Sequence, residues 1–298
     1  MTTIAFLGLG IMGAPMAANL VRAGYDVVGY NRSPASRERL AASGGRAAGS
    51  VAAAVSEADV VITMLPDSPD VEQVALGPDG VIARARPGAL YIDMSTISPD
   101  VAVRVADAGR AAGLRVLDAP VSGGEQGAID GTLSIMIGGD ADDVAAADPV
   151  LRAVGSTIVH VGPAGSGQTV KAANQLIVAG TIGLVAEAIV FLEAHGVDTE
   201  RAVQVLAGGL AGNAILNRKA AGMLRRDFTP GFRSALHHKD LGILTTAARQ
   251  AGVVLPLGTC AAALMASLTA QGHGDLDHTA LLKLVEQLSG RSPADAES

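Results

Sequence analysis

Short apolar runs alternate with helical patterns through the first half of the chain. Thr3–Leu7, Asp26–Tyr30, Asp59–Pro66, Ala89–Thr96, the run ending Leu117-Asp118, Leu133–Gly138 and Thr157–Val161 are of strand length and largely apolar. Continuous apolar runs of this kind mark strands covered on both faces, as in a parallel sheet. Between them lie helical patterns, among them an Ala-rich stretch up to Ala23 closed by Gly24 and an acidic one from Asp140 to Val154. After Gly162 the pattern changes, and it predicts helices over Ser166–His195, Asp198–Leu206, Ala214–Leu224, Lys239–Ala251, Pro256–Ala270 and His278–Leu288. Gly196, Gly208-Gly209, Gly212, Gly252 and Gly272 punctuate them. The tail from Ser289 reads as frayed. The expectation is an α/β domain over residues 1–162, then an all-α domain over 163–298, joined through the long helix.

The first strand runs into Gly8-Leu9-Gly10-Ile11-Met12-Gly13, and a helix and a second strand follow within about thirty residues. That context makes the glycine pattern a dinucleotide-binding turn and the domain a Rossmann domain. Gly8 permits the tight turn, Gly10 admits a pyrophosphate close to the backbone, and Gly13 lets helix pack against strand. Leu9, Ile11 and Met12 belong to the same turn, and the helix N-terminus faces the phosphates. Where NAD-selective enzymes place a carboxylate for the ribose, the second strand ends instead in Tyr30-Asn31-Arg32-Ser33. A guanidinium beside Asn and Ser suits a 2′-phosphate, so NADP(H) is the expected cofactor, with NAD(H) also accepted. Ligands in open parallel sheets sit beyond the carboxyl ends of strands. This makes Met64-Leu65-Pro66 and Ser95-Thr96 candidate cofactor loops.

Asp118-Ala-Pro-Val-Ser122-Gly123-Gly124 ends a strand in a turn whose amides and hydroxyl can converge on an anion, and a substrate carboxylate would fit there. Further on, Gly162-Pro-Ala-Gly165-Ser-Gly167 opens the long helix. Lys171, Asn174 and Gln175 sit near its start at spacing i, i+3 and i+4, on one face of an otherwise apolar segment. Only four of the 22 basic residues are lysines, and Lys171 and Lys239 are two of them. Unlike arginine, lysine can give up and recover a proton. Lys171 is therefore the candidate catalytic acid, with Asn174 and Gln175 orienting substrate oxygens.

Composition narrows the classes. The chain of 298 residues is 49% hydrophobic and 17% charged, which excludes disorder. A net charge of −7, with four Phe, three Tyr and no Trp, disfavours a nucleic-acid partner. The start lacks a basic leader, and the single cysteine, Cys260, is consistent with a reducing compartment, so a cytoplasmic location is expected. The apolar stretch Ile177–Leu192, interrupted by Glu187, reads as a buried helix rather than a membrane span. His237 and His238, being adjacent, cannot share a helix face and have no third ligand at metal spacing, so surface or substrate-shell roles are expected and no metal. His160 and His195 are placed near domain edges, and Cys260 reads as a buried apolar residue.

The segments just quoted, together with Phe6-Leu-Gly-Leu-Gly-Ile-Met-Gly-Ala-Pro-Met-Ala-Ala-Asn19, Gly162-x-x-Gly-x-Gly-x-x-x-Lys171-x-x-Asn174 and Lys239-Asp-Leu, resemble the β-hydroxyacid dehydrogenase family, motif by motif and in order. The resemblance implies a Rossmann domain followed by a helical domain, with the active site between them. It implies NAD(P)-dependent reduction of a small acidic aldehyde, or oxidation of the matching hydroxyacid. Lys239 would reach the cofactor side of the site, Asp240 would cap its helix, and the assembly would be a homodimer or homotetramer. Met64-Leu-Pro-Asp-Ser-Pro, Asp130-Gly-Thr-Leu-Ser-Ile-Met-Ile-Gly-Gly, Gly208-Gly-Leu-Ala-Gly and Phe228-Thr-Pro-Gly-Phe-Arg are most like the family's semialdehyde reductases. Family members acting on 3-hydroxyisobutyrate, glyoxylate or succinic semialdehyde differ in pocket shape, which spacing does not resolve. A non-catalytic cofactor-binding module would need no proton donor.

Overall fold

In the computed structural model, which describes residues 1–291, the apolar runs become the strands of one sheet. Most of the tail from Ser289, residues 292–298, lies outside the described residues. The strands are β1 (Thr3–Leu7), β2 (Asp26–Tyr30), β3 (Arg46–Ala47), β4 (Val60–Thr63) and β5 (Leu90–Asp93). They continue with β6 (Arg115–Asp118), β7 (Val121–Ser122), β8 (Leu133–Gly138) and β9 (Gly155–Gly162). The spatial order is β3-β2-β1-β4-β5-β6-β8-β7, with β9 on β8. Strands β1 to β6 run parallel, whereas β8 is antiparallel to both β6 and β7.

Successive residues of a strand point to opposite faces, and both faces are covered here. Ile4, Phe6, Ile62, Ile92 and Leu117 pack on one side, and Ala5, Leu7, Val61, Tyr91 and Val116 on the other. This two-sided burial is why the runs read as continuously apolar. The chain reverses direction across the sheet between β1 and β4, so a crevice opens at their carboxyl ends. Polar side chains gather at that edge: Thr63 lies opposite Asp93, and Asp93 opposite Asp118, in register across three neighbouring strands.

The chain forms two compact units, Met1–Lys171 and Ala172–Ser298. The division falls within the long helix, Ser166–Ala194, because its first turn packs on the sheet of the first unit. A Cβ on Gly167 would meet the Met136 carbonyl and the Asp118 carboxylate, which shows how close that approach is.

In the second unit, Ala179, Ile182, Ala186 and Ile189 of the long helix join Leu216, Met223, Leu241, Met265 and Leu281 in a separate core. The surrounding helices are Thr199–Gly208, Ala214–Leu224, Ser234–Gln250, Pro256–Leu268 and Leu281–Leu288. Asn213 opens the Ala214–Leu224 helix, its Oδ1 accepting from the amides of Ile215 and Leu216. The long helix is buried on one face only, with Ile177, Leu184 and Phe191 exposed, so the expectation of a buried helix is corrected by half. Cys260 is exposed, contrary to expectation, because it lies on the outward face of its helix with Leu257.

Candidate active site

At the glycine turn, Gly8 adopts φ 104°, and a Cβ there would overlap the Met64 carbonyl. A Cβ on Gly13 would overlap the Gly8 carbonyl, so helix and turn touch backbone to backbone. Nothing lies within 4 Å of the Cβ position at Gly10, which leaves the turn open on the side where a pyrophosphate would approach. The helix Gly13–Arg22 starts here without an acidic first turn or a side-chain cap, as a helix kept for an anion would. These residues fit a dinucleotide.

Asn31 and Arg32 divide the work expected of them together. The Asn31 Oδ1 accepts from the Leu9 amide at 3.0 Å, so this side chain braces the turn. Arg32 extends into solvent, 83% exposed, with Nη2 3.8 Å from an Asp70 carboxylate oxygen.

Next to the turn, the ends of β4 and β5 are held by buried polar groups. The Ser95 hydroxyl accepts from the Leu65 amide at 2.9 Å and is wholly buried, so it braces the Met64–Pro66 loop, and only Thr96 of that pair reaches partial exposure. Thr63 Oγ1 donates to Asp93 Oδ1 at 2.7 Å, and the Ser95 amide donates to the same oxygen at 3.2 Å. Asp93 Oδ2 is buried without a hydrogen-bond partner. Burial pushes the Asp93 carboxyl up to about 6 against the pull of the Ser95 and Thr63 bonds, and the nearby Asp118 carboxylate adds to the rise.

Asp118 receives the long helix. Its Oδ1 accepts from the Gly165 amide at 2.7 Å and its Oδ2 from the Gln168 amide at 3.0 Å. A carboxylate at this position satisfies amides that a helix start leaves unpaired and complements its positive end. Burial raises the Asp118 carboxyl, and those amide bonds oppose the rise. One turn on, the buried Lys171 donates from Nζ to the Val121 carbonyl at 2.8 Å. Val121 immediately precedes Ser122, so the structure brings the ammonium to the Ser122-Gly123-Gly124 turn. Gly123 and Gly124 adopt φ 147° and 68°, and the Leu133 side chain occupies the space a Cβ at 123 would need.

In the second unit, Asn174 Nδ2 donates to Gln175 Oε1 at 2.8 Å, and Gln175 Nε2 donates to Asp240 Oδ2 at 2.6 Å. A carboxylate only accepts, so Asp240 fixes which end of the Gln175 amide faces it, and Gln175 in turn orients Asn174. Gln175 is buried, with both ends of its amide engaged in this chain of bonds. Lys239 Nζ lies 2.8 Å from the other Asp240 oxygen.

The helix carrying both begins at Ser234, not Lys239, so Asp240 is interior and caps nothing. His237 is wholly buried, which corrects the surface expectation. Its Nε2 donates to the Gln175 carbonyl at 3.1 Å and its Nδ1 stands 3.0 Å from His278 Nδ1. Among the described residues, no group of three or more His, Cys, Asp or Glu could hold a metal.

Gln168, Asp93, Thr63 and His278 were not singled out by the sequence, nor was the task of Asp118. The one available signal was an aspartate ending each of two successive apolar runs.

Residues 3–162 match the NAD binding domain of 6-phosphogluconate dehydrogenase. Residues 165–285 match a family described as NAD-binding of NADP-dependent 3-hydroxyisobutyrate dehydrogenase. The chain belongs to the β-hydroxyacid dehydrogenase family and is an NAD(P)-dependent oxidoreductase.

It is 41% identical to the 2-hydroxy-3-oxopropionate reductase of Escherichia coli over 292 residues, covering 98% of this chain and 99% of that one. It is 39% identical to the NAD-dependent L-serine dehydrogenase of Pseudomonas aeruginosa, covering 98% and 100%. The structure of Mycobacterium tuberculosis 3-hydroxyisobutyrate dehydrogenase with L-serine superimposes with a TM-score of 0.86 at 41% identity, covering 96% and 99%.

Proposed function

We propose that this enzyme reversibly reduces 2-hydroxy-3-oxopropionate (tartronate semialdehyde) to glycerate, with NADPH as the preferred cofactor. The observation that carries the reading is the buried Lys171 ammonium, held by the Val121 carbonyl beside the Ser122–Gly124 turn. That is the placement needed by an acid serving a carbonyl whose neighbouring carboxylate is anchored by the turn. The relative named 2-hydroxy-3-oxopropionate reductase, matched over nearly its whole length, supports this substrate. The similarity to 3-hydroxyisobutyrate dehydrogenase, a protein equally close in sequence, supports a second reading in which that hydroxyacid is oxidised.

Gly8–Gly13, Met64–Pro66 and Thr96 would hold the dinucleotide, and Arg32 would meet the 2′-phosphate. The bound cofactor supplies the hydride. The chain supplies the rest. Ser122 and the amides of Gly123 and Gly124 bind the substrate carboxylate, and Asn174, oriented by Gln175 and Asp240, positions its oxygens. Lys171 donates to the carbonyl oxygen, stabilises the developing negative charge and delivers the proton. In the oxidising direction the neutral amine takes that proton back.

The exposed Ile177, Leu184 and Phe191 recur every seven residues along the long helix, and Gly180 and Gly183 between them leave open space around their Cβ positions. Such a line suits a second copy of the chain, and we propose a homo-oligomer. The reducing compartment implied by the single cysteine makes the cytoplasm its proposed location.

The test is a spectrophotometric panel of small acidic aldehydes and hydroxyacids with both cofactors, run on wild type and Lys171→Met. The variant is expected to bind NADPH normally and to lose at least ~10²-fold in turnover, the scale of a positioned acid. Near-normal turnover would remove the lysine from the mechanism. Stronger activity on 3-hydroxyisobutyrate than on the semialdehyde pair would select the second reading.

A further inference from the structure

The first turn of the long helix is fastened to the sheet at more points than a helix start requires. Asp118 takes the amides of Gly165 and Gln168. The Gln168 side chain, 1% exposed, then reaches across to the segment after β5. Its Oε1 accepts from the Ile97 amide at 3.0 Å, and its Nε2 donates to the Ser95 carbonyl at 2.8 Å. One side-chain amide thus pairs with the backbone of that segment at both ends, donor to acceptor and acceptor to donor. Ser95 in turn holds the Leu65 amide through its hydroxyl. Three pieces are tied together within the first unit: the turn carrying Lys171, the Ser95–Ile97 segment, and the Met64–Pro66 loop.

A helix start needs only its orphan amides satisfied, and Asp118 already does that. The Gln168 side-chain amide adds nothing to capping. What it fixes is the separation between the lysine's turn and the two loops assigned to the cofactor. Lys171 lies three residues after Gln168, one helical turn, and its own long side chain is set at the far end by the Val121 carbonyl. A shift of the turn along the sheet would move the root of that side chain relative to both loops.

We propose that Gln168 is a positioning residue for catalysis, coupling the helix turn that carries Lys171 to the β4 and β5 loops so that proton donor and hydride donor are held at a fixed separation. The proposal rests on the assignment of Lys171 as the acid. Gln168 itself touches neither substrate nor cofactor. Its effect falls on turnover, because misplacing reacting groups by about 1 Å costs on the order of 10²-fold in rate.

Two variants and one control test it, by kcat, KM and fluorescence-monitored NADPH binding from pH 5 to 9. Gln168→Met keeps the length and loses both bonds; kcat is expected to fall 10- to 100-fold with the Kd for NADPH within about two-fold. Gln168→Glu separates positioning from mere packing. As a neutral acid it donates to the Ser95 carbonyl and accepts from the Ile97 amide, as the glutamine does. As a carboxylate it opposes the Ser95 carbonyl with a second acceptor. Its kcat relative to wild type should therefore climb as pH is lowered, whereas the Gln168→Met ratio stays flat.

A folded Gln168→Met with kcat within two-fold of wild type, or a Gln168→Glu ratio that does not change with pH, would overturn the proposal. Should Gln168→Met not fold, the Gln168→Glu ratio decides alone. The control, Lys171→Met, keeps the two readings apart. Full turnover in that variant removes the acid, and with it this inference. Loss of turnover there beside unaltered Gln168 variants removes only the positioning role.

Discussion

Replacing Asp93 by Asn should change how the nucleotide-binding unit responds to pH. Asp93 is held against Thr63 and Ser95 with one oxygen lacking a hydrogen-bond partner, and burial raises its carboxyl from 3.8 to about 6. The folded protein therefore holds this proton more tightly than the unfolded chain does. Between those two values the native state carries more protons, so stability is fully present below the unfolded value and is lost as pH rises through about 6. A shift of about two units corresponds to roughly 3 kcal/mol, at 1.36 kcal/mol per unit. Asp118 rises in the same direction, and because its carboxylate adds to the rise at Asp93, the difference between the two proteins includes that coupling.

The chain offers a selective probe. It has no Trp, and its three tyrosines, Tyr25, Tyr30 and Tyr91, all lie in the unit that contains Asp93. Urea unfolding followed by tyrosine fluorescence, from pH 3.5 to 7.5, therefore reports on that unit. Asn at 93 leaves an amide nitrogen where the unpartnered oxygen stood, which lowers stability by an amount independent of pH. The informative quantity is the gap between the two curves. It should move in the variant's favour by about 3 kcal/mol from the acid to the neutral end. Parallel curves would refute the reasoning that burial, rather than the Thr63 and Ser95 bonds, governs this carboxyl.

Two further outcomes follow from exposed groups. Arg32→Ala should weaken NADPH binding about 10- to 100-fold, the scale of a lost charge-assisted contact, and leave NADH within two-fold; equal losses for both cofactors by titration would remove the 2′-phosphate assignment. Leu184→Glu, placed in the middle of the apolar line on the long helix, should raise the dissociation constant of the oligomer at least ~10-fold, and an unchanged sedimentation profile would clear that face of the role.

Much of the architecture was legible because pattern and burial coincide. β1, β2 and β8 fall on the predicted residues, since each is an apolar run ended by glycine or polar residues; β1 and β2 are covered on both faces, and β8 buries Leu133, Ile135 and Ile137 on one. The Ala214–Leu224 helix does too, its start marked by the Asn213 cap. The pattern predicts a helix from Lys239, whereas the helix begins five residues earlier, at Ser234. Burying His237 against His278 and the Gln175 carbonyl makes a polar residue part of a core, and no periodicity records that. The two-residue β7 is too short to carry alternation.

In the site, Lys171 stood out because an ammonium in an apolar segment is costly without a purpose. Gln168 sits three residues earlier and did not stand out, because its partners, Ser95 and Ile97, are over seventy residues away and are engaged through their backbones. A contact made by main-chain groups leaves no trace in side-chain identity at the other end.

The bond from Leu9 to Asn31 sets the terms on which this enzyme's cofactor choice could be redesigned. Adjacent positions at the end of β2 serve different masters. Residue 31 belongs to the shape of the glycine turn, so an apolar residue there, which cannot accept from the Leu9 amide, would disturb the grip on any dinucleotide, phosphorylated or not. Residue 32 faces solvent, and under the proposed NADPH preference it is the position that would meet the 2′-phosphate. On the proposed NADPH preference, a switch toward NAD starts at Arg32, with the acceptor at residue 31 kept in place.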